Sequence, residues 1–311
     1  MASGKRIDIL GLGCVAVDDH LFVGRFPPPD AKTRVLARER HCGGLTATAL
    51  VAAARLGARC AFAGVLGRDE LSRFVLARLR AEGIDVSATL RQPNARPIYS
   101  SVVVDRSTGA RNIFYDIEGV VGASESVPAT LIRSCRVLFV DNFGVAGMTR
   151  ASKLARRARI PVVADFENDS DPGFSGLWAL ADHRIVSKTF AASLTGSSSP
   201  QRAARKLLSS SCVVAVVTCG AEGCWYISRG WSAPKHFKAF KVEAVDTTGC
   251  GDVFHGAYAY GLALGMDLGQ RICFSSATAA LKATQPGGQA GIPSMPQVHS
   301  FLNHELDSQT R

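Results

Sequence analysis

The stretch Val137-Leu-Phe-Val-Asp-Asn-Phe143 opens the part of the sequence that decides the fold. Its apolar run predicts a buried strand, which is followed by a helix pattern over Thr149–Arg159 and a second apolar strand over Pro161–Phe166. The alternation continues through segments predicted at Ile185–Ser187, Pro200–Leu208, Cys212–Thr218, Cys224–Ile227, Cys250–Leu264 and Leu268–Ala283. Strands that alternate with helices are typical of a mostly parallel sheet with helices on both faces, so we predict a three-layer α/β/α domain.

The first half of the chain departs from this rhythm in two places. The segments near Thr33–Arg40 and Ile98–Asp116 are rich in β-forming residues, and Asp105-Arg-Ser-Thr-Gly109 in the second has the composition of a hairpin turn. We therefore predict a small accessory sheet, with strands from about residues 31–42 and 98–116. No linker or internal repeat divides the chain, which predicts one domain over residues 1–311.

The composition excludes several classes of function. The 311 residues include 36 Lys and Arg against 26 Asp and Glu, a formal net charge of +10. The basic residues are spread over separate predicted amphipathic helices, and no zinc-finger or RNA-recognition signature accompanies them. We therefore expect no nucleic-acid partner, and the charge suits a small anionic substrate or a nucleotide equally well.

The apolar segments and the cysteines indicate the compartment. The longest stretch without Asp, Glu, Lys or Arg, Val253–Met266, is too short to span a bilayer. Asp8 interrupts any signal-peptide core near the N-terminus. The nine cysteines include no Cys-x-x-Cys pair, which predicts free thiols in a reducing compartment. We expect a soluble, cytoplasmic protein with no membrane partner.

The strongest local signal is Asp246-Thr-Thr-Gly-Cys-Gly-Asp252, directly before a predicted helix. A glycine-rich turn at a helix N-terminus presents unpaired amides and the positive end of the helix dipole, which favours an anion such as phosphate. A carboxylate at Asp252 would repel that anion, but it suits a base that removes a proton from an attacking hydroxyl. The residues alone leave a second interpretation open, in which Asp252 only caps the helix.

Two nucleotide-binding motifs can be checked directly. No Gly-x-x-x-x-Gly-Lys-[Ser/Thr] sequence occurs, which excludes a P-loop. Ile7–Val17 reads as a buried strand, and Gly11-Leu-Gly-Cys-Val-Ala16 within it matches the loose dinucleotide fingerprint. That fingerprint requires a crossover helix, whereas the next residues read as more strand, so a dehydrogenase is disfavoured.

Two segments, one in each half of the chain, resemble signatures of the ribokinase-like (PfkB) carbohydrate kinases. The run from Asp246 to Gly256 looks like the C-terminal signature of that family, and Gly43-Gly44 with the helix to Gly57, then Gly64–Asp69, looks like the N-terminal signature. The match covers nearly the whole chain. Phe240–Phe254 and Ala280–Pro293 most resemble the sulfofructose-kinase branch.

The resemblance implies a three-layer domain with a β-sheet lid over a sugar, formed by the accessory strands. It implies ATP and Mg²⁺ as cofactors and transfer of the γ-phosphoryl group to a sugar hydroxyl. By position Asp252 becomes the general base, and the backbone amides of Gly249, Cys250 and Gly251 become the anion hole.

Further site residues follow from the same resemblance, and each also has a plain structural interpretation. On the sugar side Asp18 matches an acidic residue that holds hydroxyls, Gly43-Gly44 the sugar-side turn, and Lys32 a lysine near an anionic sugar. The alternatives are a turn residue, a helix entry and a surface lysine, respectively. On the nucleotide side the candidates are Thr218, Gly220, Gly223, Ser187 and Ser276. Asp246 is a candidate ligand of a monovalent cation, K⁺, or a turn residue.

The sequence also departs from the family pattern. Ala16 and Thr48 stand where many members have Asn, which removes amide donors to the sugar and makes ribose doubtful. The family's Asn-x-x-Glu segment, which supports Mg²⁺ and phosphate, is here Ser187-Lys-Thr-Phe190. Asp141-Asn-Phe143 lacks the Arg of the sulfofructose-kinase branch, and with it a bidentate anion clamp.

These observations predict an ATP-dependent kinase of a ketohexose or related sugar. A nucleoside kinase stays open, with Phe114, Tyr115 and Phe143 as candidate lining of a larger pocket. A catalytically weak sugar-binding regulator of the same fold also stays open. Exposed lid strands commonly pair, so a homodimer through the lid is a further expectation.

Overall fold

The structure is a computed structural model that describes residues 7–309 and the side chains of residues 7–305. The strands are β1 Ile7–Leu12, β2 Ala16–Val23, β3 Val35–Gly43, β4 Cys60–Phe62, β5 Val65–Leu66, β6 Leu90–Arg91, β7 Ile98–Asp105, β8 Arg111–Asp116, β9 Cys135–Val140, β10 Val162–Asp165, β11 His183–Ser187, β12 Val214–Thr218, β13 Cys224–Ser228 and β14 Lys235–Phe237. The helices are α1 Leu45–Arg55, α2 Glu70–Ala81, α3 Ala129–Arg133, α4 Val145–Arg157, α5 Phe174–Trp178, α6 Lys188–Thr195, α7 Pro200–Leu207, α8 Cys250–Ala263, α9 Leu268–Ala283 and α10 Met295–Gln309.

The central sheet has eight strands in the order β14-β13-β12-β11-β10-β9-β1-β4. Six neighbouring strands of this sheet, β4, β1, β9, β10, β11 and β12, pair in parallel. Strands β13 and β14 add an antiparallel edge. Parallel neighbours need crossover connections, which the intervening helices provide. The predicted mostly parallel sheet is therefore confirmed.

Alternate residues of the same strands face two separate apolar cores. Ile9, Val137 and Phe139 pack with helices α1, α2 and α8 on one face of the sheet. Leu10, Leu138 and Val140 pack with α4, α6 and α7 on the other face. Each fully buried side chain of this kind contributes roughly 1.5–3 kcal/mol to the stability of the fold. Because helices cover both faces of the sheet, its strands are continuous apolar runs in the sequence.

Two helices of the first face cross at backbone contact distance. A Cβ atom added to Gly256 of α8 would lie 2.1 Å from the carbonyl oxygen of Ala49 in α1, so only glycine fits there. Helix α9 packs against α8 from outside. The start of α1 and the start of α8 are thereby held in a fixed relation.

The predicted strand at Ile7–Val17 is wrong in one respect, because the structure divides it between two sheets. A Cβ atom on Gly13 would lie 2.1 Å from Oδ2 of Asp141, and the same oxygen accepts a hydrogen bond from the amide of Cys14. This contact turns the chain after β1, and β2 begins at Ala16 in the second sheet.

The second sheet has four strands in the order β3-β2-β7-β8. Strands β7 and β8 form the predicted antiparallel hairpin, and the Asp105 carboxylate accepts from the amides of Ser107 and Thr108 in its turn. Strand β2 lies between β3 and β7, so the sheet contains one strand beyond the two predicted segments. The predicted small accessory sheet is present.

Other boundaries differ by a few residues. Helix α4 begins at Val145 rather than Thr149, because Gly144 provides a left-handed N-cap with φ of 81°. All nine cysteines lie within the described residues, and none of them forms a disulfide. Between residues 7 and 309, the helices are all too short or too polar to cross a bilayer.

Candidate active site

The candidate site lies where the strand order reverses. Strand β1 lies between β4 on one side and β9 on the other. The strands that follow β1 in the chain are therefore added to the sheet on opposite sides of it. In open α/β sheets, ligands bind outside the carboxyl ends of the strands at such a point. The residues that follow β9 and close β10 are acidic, Asp141 and Asp165 respectively.

Helix α8 brings its N-terminus to this edge. Gly249 is its N-cap with φ of 74°, a left-handed conformation that disfavours any side chain. The amides of Gly251 and Asp252 lie in the first turn, where the helix offers them no acceptor. The amide of Cys250, predicted as a third donor to an anion, already donates to the carbonyl of Thr247 at 3.2 Å. Residues 246–252 are called the anion loop below.

Asp252 is the third residue of α8 and is partly buried. Burial raises its pKa well above the ordinary value, and the negative charges of Asp165, Glu167, Asp141 and Asp18 raise it further. These carboxylates come from the ends of two sheet strands and from the second sheet. Asp252 therefore sits among the groups of both sheets, with a pKa moved toward the range that suits a general base.

Asp165 and His255 form a buried pair beside Asp252 that sequence reasoning missed. The His255 Nε2 atom lies 3.3 Å from Oδ1 of Asp165 and 3.0 Å from the carbonyl oxygen of Ile185. The His255 Nδ1 atom lies 2.7 Å from the carbonyl oxygen of Gly251. Burial lowers the pKa of His255, and the contacts with the carbonyls of Ile185 and Gly251 act in the opposite direction. Acidic residues at the ends of adjacent predicted strands were the available signal for Asp165.

Asp141 joins three elements at the same edge. Its Oδ2 accepts from the amide of Cys14 at 2.7 Å and from Thr46 Oγ1 at 2.8 Å, and its Oδ1 accepts from the amide of Phe143. Burial raises the pKa of Asp141 to about 6. With its oxygens occupied in this way, Asp141 acts as a structural tie rather than as an open ligand.

The second sheet supplies the predicted sugar-side residues. Asp18 lies on β2 opposite His41 of β3 and Ser100 of β7. Burial raises the pKa of its carboxyl group, and a hydrogen bond from Ser100 lowers it in part. A Cβ atom on Gly43 would lie 2.5 Å from Oδ2 of Asp18, so glycine makes room for this carboxylate.

The remaining sugar-side candidates differ in position. Gly44 has φ of 94°, and a Cβ there would lie 2.6 Å from Cα of Val15, so the turn before α1 requires glycine. Thr48 is buried in α1 beside the anion loop, but its hydroxyl already accepts from Nε2 of Gln289 at 3.3 Å. Lys32 is exposed in the loop between β2 and β3.

A cavity of about 570 Å³ also adjoins the anion loop. It includes four of the predicted nucleotide-side residues together with three from the anion loop: Thr218, Gly220, Gly223, Ser276, Thr247, Cys250 and Gly251. Its other lining is mostly small or apolar, including Phe240, Val242, Phe254, Ala279 and Ala280. Gly223 has φ of 91°, and a Cβ there would lie 2.0 Å from the carbonyl oxygen of Phe237.

Ser187 lies outside this lining. Its hydroxyl caps α6 by accepting from the amide of Phe190 at 3.2 Å, which is a sufficient structural role. Asp246 is also occupied by protein donors. Its carboxylate accepts from Thr248, from the amide of Gly287 at 3.0 Å and from Arg111 of β8 at 3.2 Å. Arg111 also donates to Thr248, so the second sheet touches the anion loop directly.

A family model described as pfkB family carbohydrate kinase matches residues 8–295. The chain belongs to this family. Among curated relatives, it is 30% identical over 268 residues to a ribokinase of Mus musculus, with 81% of each chain covered. It is 28% identical to fructokinase-1 of Zea mays, with 84% of this chain and 87% of the relative covered.

Solved structures share the fold of this pfkB kinase. An Arabidopsis thaliana ribokinase, complexed with ribose and ATP, has a TM-score of 0.85 at 19% identity and covers 95% of this chain and 98% of its own. An Escherichia coli protein of the ribokinase type, solved with ATP and Mg²⁺, has a TM-score of 0.81 at 21% identity, with 96% and 99% covered. The predicted ribokinase-like fold and carbohydrate-kinase family are confirmed, whereas the sulfofructose-kinase branch stays a prediction.

Phe190, the departure from the pfkB pattern in the metal-supporting segment, is a core residue here. It is buried and packs edge-on against Phe174, whose ring also contacts Phe166 and Trp178. Phe190 therefore belongs to the apolar core and supplies no carboxylate at this position. Within residues 7–305, no group of three or more His, Cys, Asp or Glu side chains forms a ready metal cluster.

Proposed function

We propose that this pfkB kinase transfers the γ-phosphoryl group of ATP to a hydroxyl of a ketohexose or related sugar, with Asp252 as general base. The observation that carries the proposal is the position of Asp252. It lies at a helix N-terminus next to Gly251, which lines the 570 Å³ cavity, and in electrostatic range of the Asp18 carboxylate of the second sheet. A base there is within reach of both a nucleotide phosphate and a sugar hydroxyl.

Each part of the chain then has one task in the reaction. The carboxylate of Asp18 orients sugar hydroxyls, and Asp252 removes a proton from the hydroxyl that attacks phosphorus. The first-turn amides of α8 stabilise the negative charge that develops on the transferring group. The second sheet, which Arg111 ties to the anion loop, excludes water that would otherwise accept the phosphoryl group.

The acidic residues fit a Mg²⁺ ion that enters with ATP. Oδ2 of Asp165 is buried and has no hydrogen-bond partner within the described part of the chain, and Glu167 lies in electrostatic range of it. Mg²⁺ is commonly held by one or two carboxylates together with substrate phosphates and water. Asp165 and Glu167 would hold it, and it would neutralise phosphate charge.

A neutral ketohexose is favoured as acceptor by three features. The maize relative is a fructokinase, and although the mouse relative is a ribokinase, Ala16 and Thr48 lack the amide groups expected for ribose. Lys32 is exposed, and a solvated single charge is a weak anion anchor. The nucleoside alternative loses support, because Phe114 and Tyr115 are consecutive in β8 and so face opposite sides of the sheet.

The test is an acceptor panel with the purified protein, ATP and Mg²⁺. ADP release is followed for ketohexoses, ribose, nucleosides and sulfonated sugars, and mass spectrometry identifies the phosphorylated product. We expect the highest kcat/KM with a ketohexose. Turnover of a nucleoside alone, or sugar binding without any phosphoryl transfer, would replace the proposal by the corresponding alternative.

We further propose that two copies pair through the second sheet, which thereby acts as a shared lid. Its edge strand β8 exposes Ile113, Phe114 and Tyr115 by 59–69%, a run of large apolar side chains at an unpaired edge. Analytical ultracentrifugation should give a dimer that Phe114→Asp dissociates. Leu264→Asp, at an exposed apolar residue distant in the fold, is the control, and a monomeric wild-type protein would contradict the proposal.

A further inference from the structure

A lysine side chain is fully buried beneath the anion loop. Lys282 lies in the last turn of α9 with 0% exposure, whereas lysines are rarely buried completely. Its Nζ donates to the carbonyl oxygen of Asp246 at 2.6 Å. A buried ammonium group that is held by a carbonyl at the start of a phosphate-binding loop is not required for packing alone, and the reaction described above does not use it.

The main chain beside Lys282 is also hydrogen-bonded to the start of the anion loop. The amides of Val245 and Asp246 both donate to the carbonyl of Ala283, the residue after Lys282, at 2.7 and 3.1 Å. The C-terminal end of α9 also carries the negative end of the helix dipole, which stabilises a cation there. The end of α9, which carries the Lys282 ammonium group, is therefore held against the first residues of the anion loop by hydrogen bonds.

The charges around Lys282 act in opposite directions. Burial lowers its pKa, the negative charge of Asp246 raises it, and the positive charge of Arg111 lowers it further. The guanidinium of Arg111 faces the Asp246 carboxylate from the second sheet, on the other side of the same residue. Asp246 thus lies between two protein cations, one on its carbonyl and one on its carboxylate.

A bound K⁺ ion does not fit this arrangement. A hard cation needs several free oxygen ligands, but the carbonyl of Asp246 is taken by Lys282. The carboxylate is taken by Thr248, Gly287 and Arg111. An added ion would compete with these donors and would meet the repulsion of the ammonium group.

We propose that Lys282 is a built-in cation that makes a monovalent metal ion unnecessary, a positioning residue that keeps the anion loop in its phosphate-binding shape. Its charge acts through Asp246 on the loop that precedes Asp252, so it need not touch the substrate. The inference rests on the proposed kinase function for its kinetic consequence. The absence of a cation site is a separate property that binding measurements reach without turnover.

The first test compares the wild-type protein in tetramethylammonium buffer with and without added KCl, at constant ionic strength. We expect kcat to change less than about twofold and the melting temperature to stay constant. Because K⁺ has no binding site in the folded protein, it cannot shift the folding equilibrium or the conformation of the loop. A rate that rises strongly with KCl but not with tetramethylammonium chloride would overturn the inference and leave the kinase function intact. If no acceptor is phosphorylated, the melting temperature alone decides.

The second test removes the charge. Lys282→Ala should lower kcat about 10–100-fold, somewhat less than loss of a direct oxyanion donor. It leaves a gap that ammonium, methylammonium or K⁺ can fill, so these ions should restore part of kcat and raise the melting temperature of this variant only. Lys282→Met fills the gap without charge and should lose activity without rescue.

Two controls make the outcome clear. Lys153→Ala, at an exposed lysine of α4, should behave as wild type in every salt. ATP binding by calorimetry, with far-ultraviolet circular dichroism, separates a misfolded variant from an inactive one. Wild-type kcat in Lys282→Met, or a folded Lys282→Ala whose activity and melting temperature ignore all small cations, would show that the charge has no such role.

Discussion

The nucleotide side and the sugar side of this site are built in different ways. On the nucleotide side, glycines at 223, 249 and 256 occupy positions where a Cβ atom is excluded by a backbone contact or by a left-handed conformation. On the sugar side, the second sheet carries polar pairs such as Arg40 with Asp19, and its edge strand β8 is exposed along its whole length. The first side is specified by backbone packing, and the second, apart from the Gly43-Gly44 turn, by side chains.

The difference teaches where each property of the enzyme resides. A backbone-packed loop can hold phosphoryl charge for any acceptor, because its donors are amides that side-chain changes leave in place. A sheet of exchangeable side chains can change the acceptor without disturbing that loop. Substitutions on the two sides should therefore separate in kinetics, with kcat changing on one side and sugar KM on the other.

The largest effect should come from the residue that both sides share. Asp252→Asn keeps the shape of the side chain but cannot accept a proton as a base, so kcat should fall about 10²–10⁴-fold with ATP binding retained. Steady-state kinetics and calorimetry on the folded variant test this. If the variant turns over at the wild-type rate, Asp252 is only a helix residue.

On the sugar side, Asp18→Ala should raise the sugar KM about 10–100-fold and leave ATP binding unchanged. Each hydrogen bond to a charged group is worth about 1.5–3 kcal/mol, and alanine cannot accept one in place of the half-buried carboxylate. Asp19→Ala is the matched control, because Asp19 faces the other side of β2 and binds Arg40 and Tyr99. Unchanged sugar affinity in Asp18→Ala would remove this residue from the site.

The pH dependence tests the acidic cluster at the boundary of the two sides. A base is active when deprotonated, so kcat/KM should fall as the pH drops through the raised pKa of Asp252. Glu167→Gln removes one of the negative charges that raise this pKa, and the acid limb should move to lower pH by less than about one unit. Asp169→Asn, at an exposed neighbour, is the control. A limb that moves upward would contradict the electrostatic assignment.

The smallest effect is expected at Lys32. A single exposed ammonium group contributes about 0–1 kcal/mol, so Lys32→Ala should alter the preference between a neutral and a sulfonated ketohexose by less than about tenfold. Side-by-side kcat/KM values for both sugars and both proteins measure this. A strong preference for the sulfonated sugar that collapses in the variant would assign the acceptor to the anionic class.

The fold and the contiguous parts of the site were predictable from the sequence. Period and composition gave the alternation from Val137 onward, and α9 begins and ends at the predicted residues Leu268 and Ala283. The glycine pattern before Asp252 is local, because one turn holds the whole anion loop. Local chemistry of this kind is visible in a sequence without knowledge of neighbours.

The rest of the site depends on distant residues that meet only in the folded chain. Asp165 and His255 are 90 positions apart, and Lys282 reaches Asp246 across 36 positions. The break after Leu12 likewise depends on Asp141, whose carboxylate accepts the amide of Cys14. Period and propensity cannot show such contacts, since sheet register and helix packing create them.

The backbone contact between Gly256 and Ala49 has a consequence for how this family can diversify. Helix α1 starts at the sugar-side turn and helix α8 at the anion loop, so their crossing fixes the distance between the acceptor and the phosphoryl group. Because the contact is made by backbone atoms, substitutions of the surrounding side chains leave this distance unchanged. Exchange of strands β3, β7 and β8 with those of another member can therefore alter the acceptor while the reacting distance is inherited unchanged.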